Sequence, residues 1–245
     1  MPKKALTDKA YEQIKAWILD FSLKPGSHLS IGELADALGI SRTPVREALS
    51  RLEQKHMVAR MPMKGFAVKV LDLREIEDLF EVRTAIEILA ARQAARRLTE
   101  NSRAQIAESL QSTATTIEKG EKSHSLNLEQ NFHVKILEAS GNIALAEIGR
   151  GVLERIWGIQ RFGLVTFDDL YLAHEQHLEI FEAMIRKTAD RAASLMREHM
   201  EHTTRFLMDR LKDHTDAIQN VLAVKPANVN LRAGDGNLNG SKNGR

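Results

Sequence analysis

The 245-residue chain contains no cysteine, which excludes disulfides and thiolate metal sites and suits a reducing cytosol. No apolar run approaches the ~20 residues that a membrane helix needs, and no signal-peptide pattern is visible. Membrane insertion and secretion are therefore not expected, and a cytoplasmic location is. No nucleophile motif and no His-Glu-x-x-His sequence occurs, which argues against an enzyme. No repeat of fixed period is present. Charge of one sign is also lacking overall, with a net +2 at pH 7.

That balance hides an asymmetry. Residues 1–70 hold 12 Lys and Arg against 7 Asp and Glu, a surplus of +5, whereas the remainder is at −3. A basic first third ahead of a slightly acidic remainder suits a DNA-binding head joined to a small-molecule or dimerisation domain. With 43% hydrophobic and 28% charged residues the composition is that of an ordinary globular protein, and the length suits two domains.

The most informative stretch runs from Ile31 to Lys69. Ser30-Ile-Gly-Glu33 is spaced as a capping box. Leu34, Ala35 and Leu38 make one apolar face, and Gly39 supplies a left-handed stop. Ser41-Arg-Thr-Pro44 opens a second helix, with either hydroxyl as N-cap and Pro44 confined to the first turn. Val45, Ala48, Leu49 and Leu52 recur at helical spacing and leave Arg42, Thr43 and Arg46 on the opposite face. Two short helices with an Arg-rich second start predict a helix-turn-helix. The bland alternative is a helical hairpin whose charges are only solvated. Val58–Arg60 and Phe66–Val70 read as strands around a Pro62–Gly65 turn, which makes a wing. Upstream, Thr7 or Asp8 is placed to cap a helix that buries Ala10, Ile14, Trp17, Ile18 and Phe21 and ends at Leu23-Lys-Pro-Gly26.

Asp72-Leu-Arg-Glu75 is a second capping box. From there to about Leu211 strand alternation is missing, and helices are predicted at 73–98, 102–119, 123–139, 142–161, 169–187 and 189–212. The fold class is mainly α: a winged helix-turn-helix over residues 6–71, an all-α bundle over 72–212, and a polar tail over 213–245 expected to be disordered. Within the bundle Glu129 and His133 are four apart and share one helix face. His177 and His199 each sit on a later helix beside apolar residues. Three imidazoles and a carboxylate suit Zn²⁺, Ni²⁺ or Mn²⁺, although a lone helical His is more often an ordinary hydrogen-bonded residue.

Leu38 to Leu49, Leu-Gly-Ile-Ser-Arg-Thr-Pro-Val-Arg-Glu-Ala-Leu, with Lys64-Gly65 at the wing tip, resembles the winged helix-turn-helix of GntR-family bacterial transcription regulators. His56 departs from the pattern, which usually has Gly there. Residues 73 to about 211 resemble the FCD-type helical ligand-binding domain of the FadR subfamily. The marks are Glu81-Val-Arg83 with Glu87, Phe132-His133 with Ala139-Ser-Gly-Asn142, His177, Ala183 with Asp190, and Arg197 ahead of His199.

The resemblance implies a homodimer that binds a palindromic operator in double-stranded DNA. Ser41, Arg42, Thr43, Arg46, Lys64 and Gly65 would touch the duplex. It also implies a divalent transition metal held by Glu129, His133, His177 and His199, with Glu129 standing where Asp is usual. The extra methylene leaves three outcomes open: direct coordination, support from behind a ligand, or an altered metal preference. Arg83 would pair with a small carboxylate or hydroxy-acid effector, the alternative being a buried salt bridge with Glu87. Trp157, Arg161 and Phe162 would line the cavity, with core packing the alternative for Trp157 and Phe162. The expected action is repression relieved by the effector. The alternatives are a metal-free regulator of a larger ligand, an architectural DNA-binding protein, and a metalloenzyme carrying a DNA-binding head.

Overall fold

The computed structural model describes residues 3–61, 65–160 and 165–213. The chain divides between Lys69 and Val70 into two compact units. In the first, helix α1 (Lys3–Leu19) is followed by strand β1 (His28–Leu29), helix α2 (Ile31–Leu38), helix α3 (Arg42–Gln54) and strands β2 (Val58–Met61) and β3 (Gly65–Val68). The antiparallel sheet has the order β1-β3-β2, with Ala67 of β3 paired to both His28 and Ala59. The pairing of Met61 with Gly65 closes the wing. Ile14, Trp17, Leu34, Val45, Leu49, Leu52 and Phe66 meet in one core, and each such side chain contributes about 1.5–3 kcal/mol by leaving water.

Local chemistry explains most of these boundaries and corrects some expectations. Gly39 ends α2 at φ +64°, and its N–H reaches the carbonyls of Ala35 and Asp36. Ser30 Oγ accepts the Glu33 N–H, but the return bond of the expected capping box is not formed among the described residues. Ser41 occupies the N-cap position of α3 without a side-chain bond. The first helix starts at Lys3 rather than at a Thr7 or Asp8 cap. The Thr7 hydroxyl is instead used across the fold, donating to Glu47 Oε2 at 3.0 Å and so tying α1 to α3. His56, between α3 and β2, sits at φ +57°. A side chain there works against the left-handed backbone by roughly 1–2 kcal/mol, which is why glycine is the natural occupant.

The second unit is all helix: α4 (Leu73–Arg97), α5 (Glu100–Glu118), α6 (Lys122–Ala139), α7 (Ile143–Gln160), α8 (Phe167–Ile185) and α9 (Ala189–Asp213). Reciprocal capping boxes open three of them, at Asp72–Glu75, Thr99–Ser102 and Thr166–Asp169. Helix α4 touches α6, α7, α8 and α9. Its buried Ala90, Ala91, Ala94 and Ala95 keep that face thin enough for close helix packing. The tightest approach is at Gly149 of α7, where a Cβ would lie 2.6 Å from Leu137 Cδ2 of α6 and 3.2 Å from Ile86 Cγ2 of α4. Helix α9 runs to Asp213, so the rest of the expected tail falls outside the described residues, as do Lys64, Arg161, Phe162 and the side chain of Trp157.

Candidate functional site

In the first unit the start of α3 places Ser41, Arg42, Thr43 and Arg46 in solvent while Val45, Ala48, Leu49 and Leu52 face the core. The arginines of this unit fall into two groups. Arg51 pairs with Asp8 and lies over the Tyr11 ring, and Arg60 pairs with Glu53 over Phe66. Arg42 and Arg46 make no ion pair with a described residue. Gly65, at φ +83°, opens β3 and is exposed.

In the second unit α6, α8 and α9 bring His133, His177 and His199 together, with one ring nitrogen from each lying within 4.8 Å of the others. All three are buried. Each ring is oriented by a neighbour. His133 Nδ1 donates to Glu87 Oε2 at 2.5 Å. His199 Nδ1 lies 2.8 Å from Gln176 Oε1, an acceptor that fixes its proton there. His177 stacks on Phe132 with ring centroids 4.0 Å apart, and its Nε2 faces His199 Nε2 at 3.2 Å. Glu129 Oε2 is 3.0 Å from His177 Nδ1, yet both atoms lack a hydrogen-bond partner.

Burial keeps these imidazoles neutral. It pushes His133 down to about 4 and His177 to about 3, and His199 well below its ordinary value. A neutral imidazole with its Nδ1 proton committed to an oxygen presents a bare Nε2, the form a metal binds. The Glu87 carboxyl, which burial alone would raise, is held down to about 2 by His133 and Arg83. Burial pushes Glu129 up to about 7 against the opposing pull of His174 and His133.

Arg83 of α4 forms the pair that was the alternative to effector contact. Its Nε donates to Glu87 Oε1 at 2.7 Å with both side chains buried, so the salt bridge exists. Its Nη1 is also buried and has no hydrogen-bond partner. Arg83, Glu129, His133, His177 and His199 line one cavity of about 40 Å³, enough for an ion and a water or two. A larger, open groove of about 840 Å³ follows α4 and α9 and contains none of the three imidazoles.

The donor set fits a divalent transition metal: three buried, neutral imidazoles converge, one ring nitrogen from each. Residues 6–68 match the family described as bacterial regulatory proteins, gntR family, and residues 78–202 match the FCD domain. The chain is 32% identical over 186 residues to the Nta operon transcriptional regulator of Aminobacter aminovorans, covering 75% of this chain and 85% of that protein. The chain belongs to the GntR family. This GntR regulator is also 24% identical to the HTH-type transcriptional repressor RspR of Escherichia coli, over 88% of this chain and 94% of that one. Among solved structures, E. coli McbR/YncC superposes with a TM-score of 0.75 at 25% identity, covering 84% of this chain and 98% of that one. The regulator thus has a DNA-binding winged helix-turn-helix and an FCD domain, and no described helix is long and apolar enough to cross a membrane.

Sequence reasoning missed two of the site's members, Gln176 and His174. His174 is buried on α8 with its Nδ1 3.8 Å from Glu129 Oε1. The missed signal was spacing, since His174 and His177 are three apart on one helix face. Gln176 gave no comparable signal, because an amide beside a His is common on any helix.

Proposed function

We propose that this GntR regulator is a cytoplasmic, homodimeric repressor without enzymatic activity, released from its operator by a small carboxylate or hydroxy acid bound at a metal centre. His133, His177 and His199, with Glu129 beside them, hold a Zn²⁺, Ni²⁺ or Mn²⁺ ion. When bound, the metal supplies open coordination positions for the oxygens of the effector. Arg83 pairs with the effector's remaining charge. The observation that carries this reading is the Arg83 Nη1 atom, a buried cationic donor without a partner in the same cavity as the three imidazoles. Such a group is costly unless an anion satisfies it. A cavity of about 40 Å³ excludes a long-chain ligand, and it has to widen to admit even a small carboxylate beside the metal.

In the head, Arg42 and Arg46 read bases or phosphates in the major groove, Ser41 and Thr43 bind phosphate, and Lys64 and Gly65 bring the wing to the backbone or minor groove. Two heads of a homodimer engage half-sites about one turn apart, which makes the operator palindromic. The functional division of the chain is 6–71 for DNA and 72–212 for metal, effector and dimerisation.

The test is operator affinity, measured by fluorescence anisotropy on a duplex that the metal-loaded protein itself selects from a random pool. Succinate, malate and citrate serve as probes. The expected change is about 5–150-fold, the usual range of such coupling, and it disappears in Arg83→Met. Equal operator affinity with and without every probe would sink this reading.

A further inference from the structure

Behind the three imidazoles lies a second buried group that the metal alone does not explain. Glu129 Oε1 and Oε2, His174 Nδ1 and His177 Nδ1 are all buried side-chain atoms without a hydrogen-bond partner. They lie together: Oε2 is 3.0 Å from His177 Nδ1, and Oε1 is 3.8 Å from His174 Nδ1. Buried polar atoms nearly always have partners, so four orphans in one place point to a state in which they satisfy one another.

The other two rings show what that state is. His133 gives its Nδ1 proton to Glu87, and His199 gives its own to Gln176. In both, an oxygen behind the ring takes the proton and Nε2 faces inward bare. His177 is the third ring, and the oxygen behind it is Glu129 Oε2. In the 3.2 Å contact between His177 Nε2 and His199 Nε2, His199 has its proton on Nδ1, so His177 must supply the proton from Nε2. For His177 Nε2 to become a bare donor atom, its proton must sit on Nδ1, where Glu129 receives it.

We propose that Glu129 is not a metal ligand but the acceptor behind His177, and that His174 is the positioning residue that holds it there. His174 donates from Nδ1 to Glu129 Oε1, while Oε2 accepts from His177. The protein then offers the metal three Nε2 atoms, which leaves more of the coordination sphere open to an effector. This inference rests on reading His133, His177 and His199 as the metal site.

The test uses the full-length protein and Zn²⁺ alone, with stoichiometry from elemental analysis and Kd from competition with a chromophoric chelator. Glu129→Gln leaves the three Nε2 ligands in place but replaces a charged acceptor by a neutral amide, so it is expected to retain one equivalent of zinc with Kd weakened about 10–100-fold, the usual effect of impairing an oriented partner behind a ligand. His174→Leu is expected to weaken Kd within that range, and His174→Gln, which keeps a donor, to recover most of the loss. The double variant Glu129→Gln/His174→Leu is expected to be no worse than Glu129→Gln, because His174 acts only through Glu129.

If Glu129→Gln loses zinc as completely as His133→Ala, Glu129 is a ligand and the inference is overturned. Wild-type affinity in His174→Leu, or losses that simply add, would overturn the role of His174. A wild-type protein that takes up no zinc would overturn the metal-site reading itself. If His174→Leu fails to give a cooperative melting curve, His174→Phe, closer in volume, replaces it in the same comparison.

Discussion

Arg83 and Glu87 stand one turn apart on α4, and one carboxylate serves two masters. Its Oε1 accepts from Arg83 Nε at 2.7 Å and its Oε2 from His133 Nδ1 at 2.5 Å, with 2% of the arginine side chain and 1% of the glutamate exposed. The arginine proposed to meet the effector's charge and a ring proposed to hold the metal therefore share a single anion.

Removing that anion leaves Arg83 charged and unpaired in the interior. Glu87→Ala is expected to destabilise the metal-free protein by about 3–5 kcal/mol, the usual consequence of breaking a buried pair from one side. Urea unfolding in the presence of a chelator measures it. A loss below about 1 kcal/mol would mean that the pair is far better solvated than its burial indicates.

Stability of the metal-free protein is expected to fall as the pH drops from 7 toward 4. His133 and His177 stay neutral in the fold down to about 4 and about 3, but they take up protons near 6.5 when unfolded. The unfolded state therefore binds more protons across that window and is favoured by acid. Glu129 works in the opposite direction. It is pushed up to about 7 in the fold and ionises near 4.5 when unfolded, so its contribution is lost as the pH rises through 7. The imidazoles outnumber it, and acid wins. Urea midpoints between pH 7 and 5 should decrease, and less steeply in His177→Gln; a flat profile would contradict the burial of these rings.

His56→Gly is expected to raise the stability of the first unit by up to about 1 kcal/mol. Relief of the left-handed strain at φ +57° exceeds the entropy that a glycine adds to the unfolded chain. The measurement is the melting temperature of the full chain, followed by a probe at Trp17. An unchanged or lower value would show that the His56 side chain has a compensating contact.

On DNA the two basic elements should behave differently. Arg46→Ala is expected to weaken operator binding by about 1–3 kcal/mol and to relax preference at one base pair, whereas Lys64→Ala should weaken all sequences alike and lower the salt slope by about 1. Titrations at several salt concentrations separate the two, and identical behaviour of the variants would remove base reading from Arg46.

The helices of the second unit were legible because their ends carry local signals. Asp72–Glu75 was readable as a capping box, and Gly120 and Gly141, at φ +71° and +63°, mark the breaks on either side of α6. What escaped the sequence was set by partners far along the chain. Strand β1 is two residues long and exists because His28 and Leu29 pair with Ala67 and Phe66. Thr7 reads as a cap, but it lies inside α1 with its hydroxyl on Glu47. In the site, type and spacing marked the three histidines only weakly, and the resemblance to the FCD domain singled them out. Of their orienting partners Glu87 was legible only as a partner of Arg83, whereas Gln176 and His174 acquire meaning only once α6, α8 and α9 are packed together.

The contact at Gly149 reaches further than its place on α7 indicates. Leu137, the side chain it admits, lies one turn beyond His133 on α6. An alanine there favours the helix by up to about 1 kcal/mol, yet its methyl group would demand that Leu137 give way. Gly149 thus seats α7 against the helix that carries His133: a lone methyl there would have to be accommodated one turn from that ring, with every residue of the cluster unchanged.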